Sequence, residues 1–175
     1  LGFVRPFVHA WAAADENDQE RALAALNGIS SGNLLAALAP ENRALILLKF
    51  RRTAEAQPLV EQVLKTAAGR ESRLRFAFAN AYLAAGDRAR AAAVLNGLGT
   101  GLGRSGERVL QGKPGGVALD NSRRAFAEML IVLAAELNRL RNENMPITLS
   151  QVARFAAPES SAASVMLGLM LARRD

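Results

Sequence analysis

The sequence predicts an all-α protein, a right-handed superhelix of about nine helices stacked as hairpins. Three observations predict it. Alanine and leucine dominate a chain that is 50% hydrophobic, whereas tyrosine occurs once and strand-favouring residues are sparse. Apolar residues recur with helical periodicity along nearly the whole chain. Small residues also recur at a fixed long period, which indicates repeated hairpins.

Caps, glycine stops and early prolines place the helices in order along the chain. The predicted helices cover residues 3–14, 18–26, 40–50, 53–69, 72–85, 88–96, 121–141, 147–157 and 160–174, with a short apolar piece at 33–39. The residues that mark their ends are Asp18, Thr53 and Ser72 as N-caps, Gly28 and Gly69 as stops, Gly86-Asp87 as a tight turn, and Pro40 and Pro58 near helix starts.

Two ladders of alanine set the repeat length. One ladder lies in the first helices of the hairpins and the other in the second helices, both with spacings of 34 and 35 residues: Ala10, Ala44 and Ala79, then Ala22, Ala56 and Ala91. Two antiparallel helices cross tightly only where one side chain is small. The equal spacing therefore predicts hairpins that stack on one another with one geometry.

The third hairpin and the C-terminal region carry further residues in the same phase. They are Phe78-Ala79-Asn80-Ala81-Tyr82, then Gly86-Asp87, Ala91 and Leu95, and later Ala153, Pro158 and Leu167-Gly168. This pattern resembles the tetratricopeptide repeat (TPR) of 34 residues over nearly the whole chain outside residues 97–120. The layout is also similar to that of alphaproteobacterial TPR proteins that carry an insert between repeats.

The resemblance fixes the expected organisation, although the repeats are degenerate: Asn17 and Arg51 stand where the family has its turn glycine. We expect one domain over residues 1–175, cut from a longer bacterial protein. Its repeats lie at about 3–36, 37–71, 72–98 and 121–158, with an insert at 97–120 and a partial repeat at 159–175. Relatives often carry an export signal, which implies the periplasm or cell envelope, with the cytoplasm as the alternative.

The insert, residues 97–120, holds eight of the 14 glycines and is predicted to be a long loop with one short helix around 107–111. We expect a mobile first half and an ordered second half from about Glu107. The second half is expected to pack against the repeats and to shield part of their binding face through its apolar residues, which are Val109, Leu110, Val117 and Leu119. A disordered linker is the competing interpretation.

The resemblance implies a non-enzymatic scaffold that binds a protein or peptide on the concave face formed by the first helix of each repeat. Carried over by register, the candidate binding residues are Phe7, Trp11, Glu41, Leu45, Leu48, Lys49, Arg73, Phe76, Asn80, Leu83, Ile131, Asn138 and Arg139. This face is largely apolar. It is either a groove for a peptide, a helix or a second copy of the chain, or its apolar residues are covered within the chain, with the insert as one candidate for the cover.

The residues needed for catalysis or for a bound cofactor are missing. His9 is the only histidine and there is no cysteine, so no metal site or paired nucleophile is expected. Residues 101–106 match G-x-G-x-x-G but follow a helix instead of a strand, and residues 112–116 lack the earlier glycine of a phosphate loop. The acidic run 15–20 fails the calcium-loop pattern. The apolar run 129–135 is too short to span a bilayer.

The net charge of +6 is carried almost entirely by arginine. A basic balance permits an anionic partner, so a helical-repeat RNA-binding module is the alternative function. The arginines are spread along the chain instead of forming one patch, which favours solvated helix faces and a protein or peptide partner.

Overall fold

The computed structural model describes residues 2–29, 35–140 and 144–172, and every regular element within these ranges is helical. The ten α-helices of these ranges are α1 (Arg5–Asp15), α2 (Gln19–Asn27), α3 (Ala39–Lys49), α4 (Thr53–Thr66), α5 (Glu71–Ala84), α6 (Arg88–Asn96), α7 (Gly103–Leu110), α8 (Ser122–Arg139), α9 (Met145–Ala156) and α10 (Ser161–Leu171). The all-α prediction is confirmed. The additional helix, α7, lies inside the insert.

The chain forms two compact units, Leu1–Asp120 and Asn121–Asp175. In the first unit α1 packs on α2, α3 on α4 and α5 on α6, and the first helices of these hairpins contact one another in turn, α1 with α3 and α3 with α5. In the second unit α8 packs on α9, and both contact α10. Paired helices and successive contacts between pairs agree with the predicted hairpins, whereas the right-handed superhelix and the single domain stay predictions.

The three hairpin turns of the first unit have the same backbone geometry. Asn17, Arg51 and Gly86 have φ values of 61°, 59° and 89°, in the left-handed region. The residue that follows each of them donates its N–H to the carbonyl five residues earlier: Asp18 to Ala13, Arg52 to Leu47 and Asp87 to Tyr82, each at 2.9 Å. This is the Schellman pattern of helix C-termini. The three positions predicted to share the turn of the repeat are therefore equivalent in structure.

Both alanine ladders lie in the tightest parts of the first unit. All six alanines are at most 1% exposed, and each lies at the predicted position within its helix: Ala10, Ala44, Ala79, Ala22, Ala56 and Ala91. Ala134, 55 residues after Ala79, is 0% exposed on α8. Any larger side chain at these positions would have to displace a neighbouring helix.

Helix caps follow the sequence in part. Asp18 caps α2 by accepting a hydrogen bond from Arg21 N–H at 3.0 Å, as predicted. Asp87 caps α6 in the same way, and the Arg90 N–H bond holds the pKa of Asp87 below its usual value. The cap predictions for Thr53 and Ser72 were wrong.

The physical reason is that helical backbone begins earlier than expected at both places. Thr53 is itself the first residue of α4. Ser72 lies inside α5, because a 3-10 helix at Ala68–Arg70 runs directly into that helix and leaves no extended capping position.

The insert contains more helix than predicted, because α7 begins at Gly103 instead of near Glu107. Gly106 is buried in this helix, and a Cβ there would lie 2.2 Å from Leu102 Cγ. The glycine therefore allows the Leu102 side chain to lie close to the backbone of α7. α7 packs on α5 and α6, and its Val109 is 2% exposed. Leu110 is 48% exposed, so it does not pack against the repeats as expected.

Candidate functional site

Four of the apolar residues predicted to bind a partner are instead part of the core of the first unit. Phe7, Trp11, Leu45 and Leu48 are each at most 1% exposed. They fill the contact between α1, α3 and α5, where helix packing leaves no room for a ligand. For these residues the second interpretation of the sequence, an apolar face covered within the chain, describes the structure.

Polar bonds fix α1 and α3 in this arrangement. Trp11 Nε1 donates to Asn42 Oδ1 at 2.8 Å, and the Asn42 amide donates to the Leu38 carbonyl at 2.8 Å. The buried Glu41 carboxylate accepts bonds from Arg70 Nη2 at 2.8 and 2.9 Å. Glu41, a predicted binding residue, therefore serves in an internal ion pair that joins α3 to the segment before α5.

The last part of the insert, residues 113–120, crosses the first unit without helix; we call it the strap. Asn80 on α5 holds the main chain of the strap. Its side-chain oxygen accepts the Gly115 N–H at 3.1 Å, and its side-chain nitrogen lies 2.7 Å from the carbonyl oxygens of both Gly115 and Val117. The same nitrogen lies 2.9 Å from the Phe76 carbonyl oxygen of α5, so its two N–H groups are shared among three acceptors, two of which belong to the strap.

Phe76 lies one helical turn before Asn80 and forms the floor under the strap. A Cβ on Gly116 would lie 2.8 Å from the Phe76 ring, and Gly116 has a φ of 67°. A residue with a side chain would be strained there by both contact and backbone. The glycine therefore lets the main chain lie directly on the aromatic ring.

The strap ends against α3. Lys49 Nζ donates to the Asp120 carbonyl at 2.7 Å and lies 3.1 Å from Asp15 Oδ1 on α1. Leu119, just before this contact, is 8% exposed. Three predicted binding residues, Lys49, Phe76 and Asn80, thus contact the strap; we call these three residues the inner face.

The other predicted positions do not join the inner face. Arg73 and Leu83 are half-buried on α5. Ile131, Asn138 and Arg139 lie on α8 in the second unit, where Ile131 is buried and Arg139 Nε donates to Glu136 at 3.0 Å.

Sequence reasoning missed the strap residues that contact the inner face, namely Gly115, Gly116 and Asp120. The Gly-Gly pair was the available signal, since two adjacent glycines allow a backbone to approach a surface closely. It was weighed only as part of a phosphate loop. Asn42, which accepts the Trp11 bond, was also missed, because nothing in its spacing separates it from the neighbouring polar residues Glu41 and Arg43.

A second concavity, of about 570 Å³, lies between α4, α5 and α6. The two arginines that line it have internal partners: Arg75 pairs with Glu71, and Arg90 pairs with Asp87 and donates to Gln57 Oε1 at 2.9 Å. Burial raises the pKa of Tyr82, which lines the cavity, to about 12. A phenol with such a pKa stays protonated at neutral pH and does not act as a base there.

Seven arginines in the described parts of the two units pair with acidic side chains. The pairs are Arg21 with Glu16, Arg52 with Glu55, Arg70 with Glu41, Arg75 with Glu71, Arg90 with Asp87, Arg124 with Glu159 and Arg139 with Glu136. These ion pairs reduce the positive charge that the seven guanidinium groups can offer to a nucleic-acid backbone.

Exposed large apolar side chains concentrate in the second unit. Phe155 is 90% exposed on α9, and Val165 and Leu169 are 60% and 57% exposed on α10. Across residues 2–29, 35–140 and 144–172, no helix combines the length and apolarity needed to cross a membrane. No three acidic or histidine side chains of the described chain come together as a metal site.

Compared with known proteins, the chain matches no family model, no curated protein and no solved structure. The function must therefore be inferred from the geometry of the inner face itself.

Proposed function

We propose that this chain is a non-enzymatic binding scaffold of the TPR type, and that its inner face binds an extended peptide segment of a protein partner. The observation that carries the proposal is the Asn80 side chain, which bonds to both the N–H and the C=O of Gly115 and to the next-but-one carbonyl, that of Val117. An amide side chain that contacts only backbone atoms recognises a chain by its conformation and not by its side chains.

The same bonds specify the conformation of the partner. In a helix the N–H and C=O groups bond to one another along the axis, so they are not presented sideways to a neighbouring amide. An extended segment leaves these groups free for lateral contacts. A groove built around Asn80 therefore favours an extended peptide over a helix.

The TPR-like superhelix is part of the proposal. Its support is the equal geometry of the turns at Asn17, Arg51 and Gly86, together with the successive contacts of α1, α3 and α5. Asn80 occupies the position that Leu45 holds in the second hairpin, 35 residues earlier, and that Trp11 holds in the first hairpin, 69 residues earlier. Leu45 and Trp11 are core side chains without an amide group, so the binding of a main chain through a side-chain amide is a property of the third hairpin.

The test is a binding selection on the full chain in which strap residues 113–120 are replaced by a Gly/Ser linker of equal length, so that the inner face is open. A random library of peptides of about the strap's length is selected on this protein, and the dissociation constants of enriched peptides are measured by fluorescence anisotropy. Adding Asn80→Ala should raise these constants at least about tenfold, the effect of losing two or three hydrogen bonds.

The matched control is Asn96→Ala, the same substitution at an exposed position at the end of α6. It should leave the dissociation constants unchanged. If no peptide is enriched, or if both substitutions weaken binding equally, the inner face is not a peptide site.

A further inference from the structure

We infer that the strap is a displaceable internal ligand: it occupies the inner face until a partner segment with a glycine at the Gly116 position replaces it. This inference rests on the proposed function and adds to it a mode of regulation and a sequence preference. Three features of the first unit support it: how the strap is held, how its ends are anchored, and which of its residues the face selects.

The strap is held as a ligand is held, through its main chain and by one apolar anchor. Its bonds to the inner face come from backbone atoms of Gly115, Val117 and Asp120, and Leu119 supplies the buried side chain. Lys113, Pro114 and Asp120 have exposed side chains. A segment of another protein with the same backbone path could make every one of these bonds.

Both ends of the strap are anchored by local motifs that do not involve the inner face. At the first end, Gly112 with a φ of 80° closes α7 in a Schellman turn, with Lys113 N–H bonded to the Arg108 carbonyl at 2.8 Å. At the other end, Asn121 caps α8 by accepting the Arg124 N–H at 3.1 Å. Lys113 is the only strap residue in these two motifs, and neither motif uses a bond to the inner face, so residues 114–120 can leave the inner face while α7 and α8 stay folded.

The inner face selects glycine at one position. A Cβ at Gly116 would clash with Phe76 of α5, and any segment that occupied the inner face would meet the same side chain. At Gly115 the conflict is with the Ser105 carbonyl of α7, at 2.1 Å, which belongs to the insert itself. The predicted pattern of the partner is therefore a glycine followed three residues later by a buried apolar residue, as in Gly116 and Leu119.

A tethered ligand competes strongly with a free one. A short linker gives an effective concentration on the order of millimolar, so a free peptide that makes the same contacts binds the closed chain much more weakly than the open chain. A partner overcomes the strap by making additional contacts or by being present at high local concentration. The strap thus sets a threshold for binding.

The test uses a labelled peptide with the sequence of residues 111–121, measured by fluorescence anisotropy against full-length variants. Gly116→Val strains the strap against Phe76 and should open the face. Gly101→Val is the matched control, because its Cβ would meet nothing within 4 Å and its backbone is not left-handed. We expect the peptide to bind Gly116→Val at least about tenfold more tightly than the wild type or Gly101→Val.

Two further measurements define the site. The combination Gly116→Val with Asn80→Ala should lose this tighter binding. A peptide in which valine replaces the glycine equivalent to Gly116 should not bind any variant. If circular dichroism shows that Gly116→Val is unfolded, the chain with the Gly/Ser linker at 113–120 takes its place.

The outcomes separate this inference from the proposed function. Equal affinity of the strap peptide for open and closed chains would overturn the inference. The inference also fails if the open chain binds selected library peptides through Asn80 but does not bind the strap peptide; the proposed function then stands. An open chain that binds neither the strap peptide nor any library peptide overturns both.

Discussion

The left-handed turn at Arg51 stores energy that a single substitution should release. A residue with a Cβ in this conformation costs about 1–2 kcal/mol, and glycine avoids the cost but loses about 0.5–1 kcal/mol of backbone entropy on folding. Arg51→Gly should therefore stabilise the first unit by about 0.5–1 kcal/mol. For a chain of this size the melting temperature should rise by about 1–4 °C.

Two related turns give the expected order of effects. Asn17→Gly should gain less than Arg51→Gly, because asparagine tolerates the left-handed region better than arginine. Gly86→Ala should destabilise by about 1 kcal/mol, because it creates the strain that Arg51→Gly removes. Gly28→Ala is its control, since Gly28 has a φ of −83° and nothing within 4 Å of a Cβ.

Urea denaturation followed by tryptophan fluorescence is the appropriate assay. Trp11 is the only tryptophan and is 1% exposed in the first unit, so its emission reports the unfolding of that unit. Arg51→Ala removes the same side chain but keeps the left-handed strain, and it should leave the midpoint nearly unchanged. If Arg51→Gly and Arg51→Ala give the same midpoint, the turn is not strained and the equivalence of the three turns is wrong.

Three other measurements test the packing and the strap. Ala91→Leu should destabilise by about 1–3 kcal/mol through overpacking, and an unchanged denaturation midpoint would mean that the alanine register is wrong. Tyr82 is the only tyrosine, so a phenolate absorbance titration should give a pKa of about 12 in the folded chain. Because folding raises this pKa above the ordinary value of about 10, stability should fall as the pH rises from about 10 to 12, and Tyr82→Phe should remove that part of the fall. Amides at 109–119 should exchange with solvent more slowly than those at 99–106. Asn80→Ala should speed exchange at Gly115 in particular, and unchanged exchange there would mean that Asn80 does not hold the strap.

The regular part of the fold was predictable because it depends on local chemistry. Ala79 and Ala91 reveal the helix crossings by their size and spacing, and Asp18 reveals a helix start by its side-chain oxygen. Errors arose where a neighbouring turn decided the outcome. Ser72 is a good cap in isolation, but the 3-10 helix before it already supplies helical backbone.

The candidate site was predictable only in part, because register does not reveal what covers a residue. The repeat phase assigns Trp11, Leu45 and Asn80 to equivalent positions, yet the first two are core and the third clamps the strap. The difference depends on where residues 113–120 run, which follows from glycine conformations and long-range bonds. Such bonds leave no periodic signal in the sequence.

Lys49 has a consequence for how the first unit unfolds. Arrays of repeats commonly lose cooperativity, because each repeat contacts only its neighbours and the ends can fray separately. Lys49 on the second hairpin contacts Asp15 on the first and the Asp120 carbonyl, 71 residues away, on the segment that follows the third. These contacts tie the first two hairpins to the strap, which Asn80 of the third hairpin also holds. The first unit should therefore melt in one sharp transition, with a denaturant slope that reflects the surface of all three hairpins.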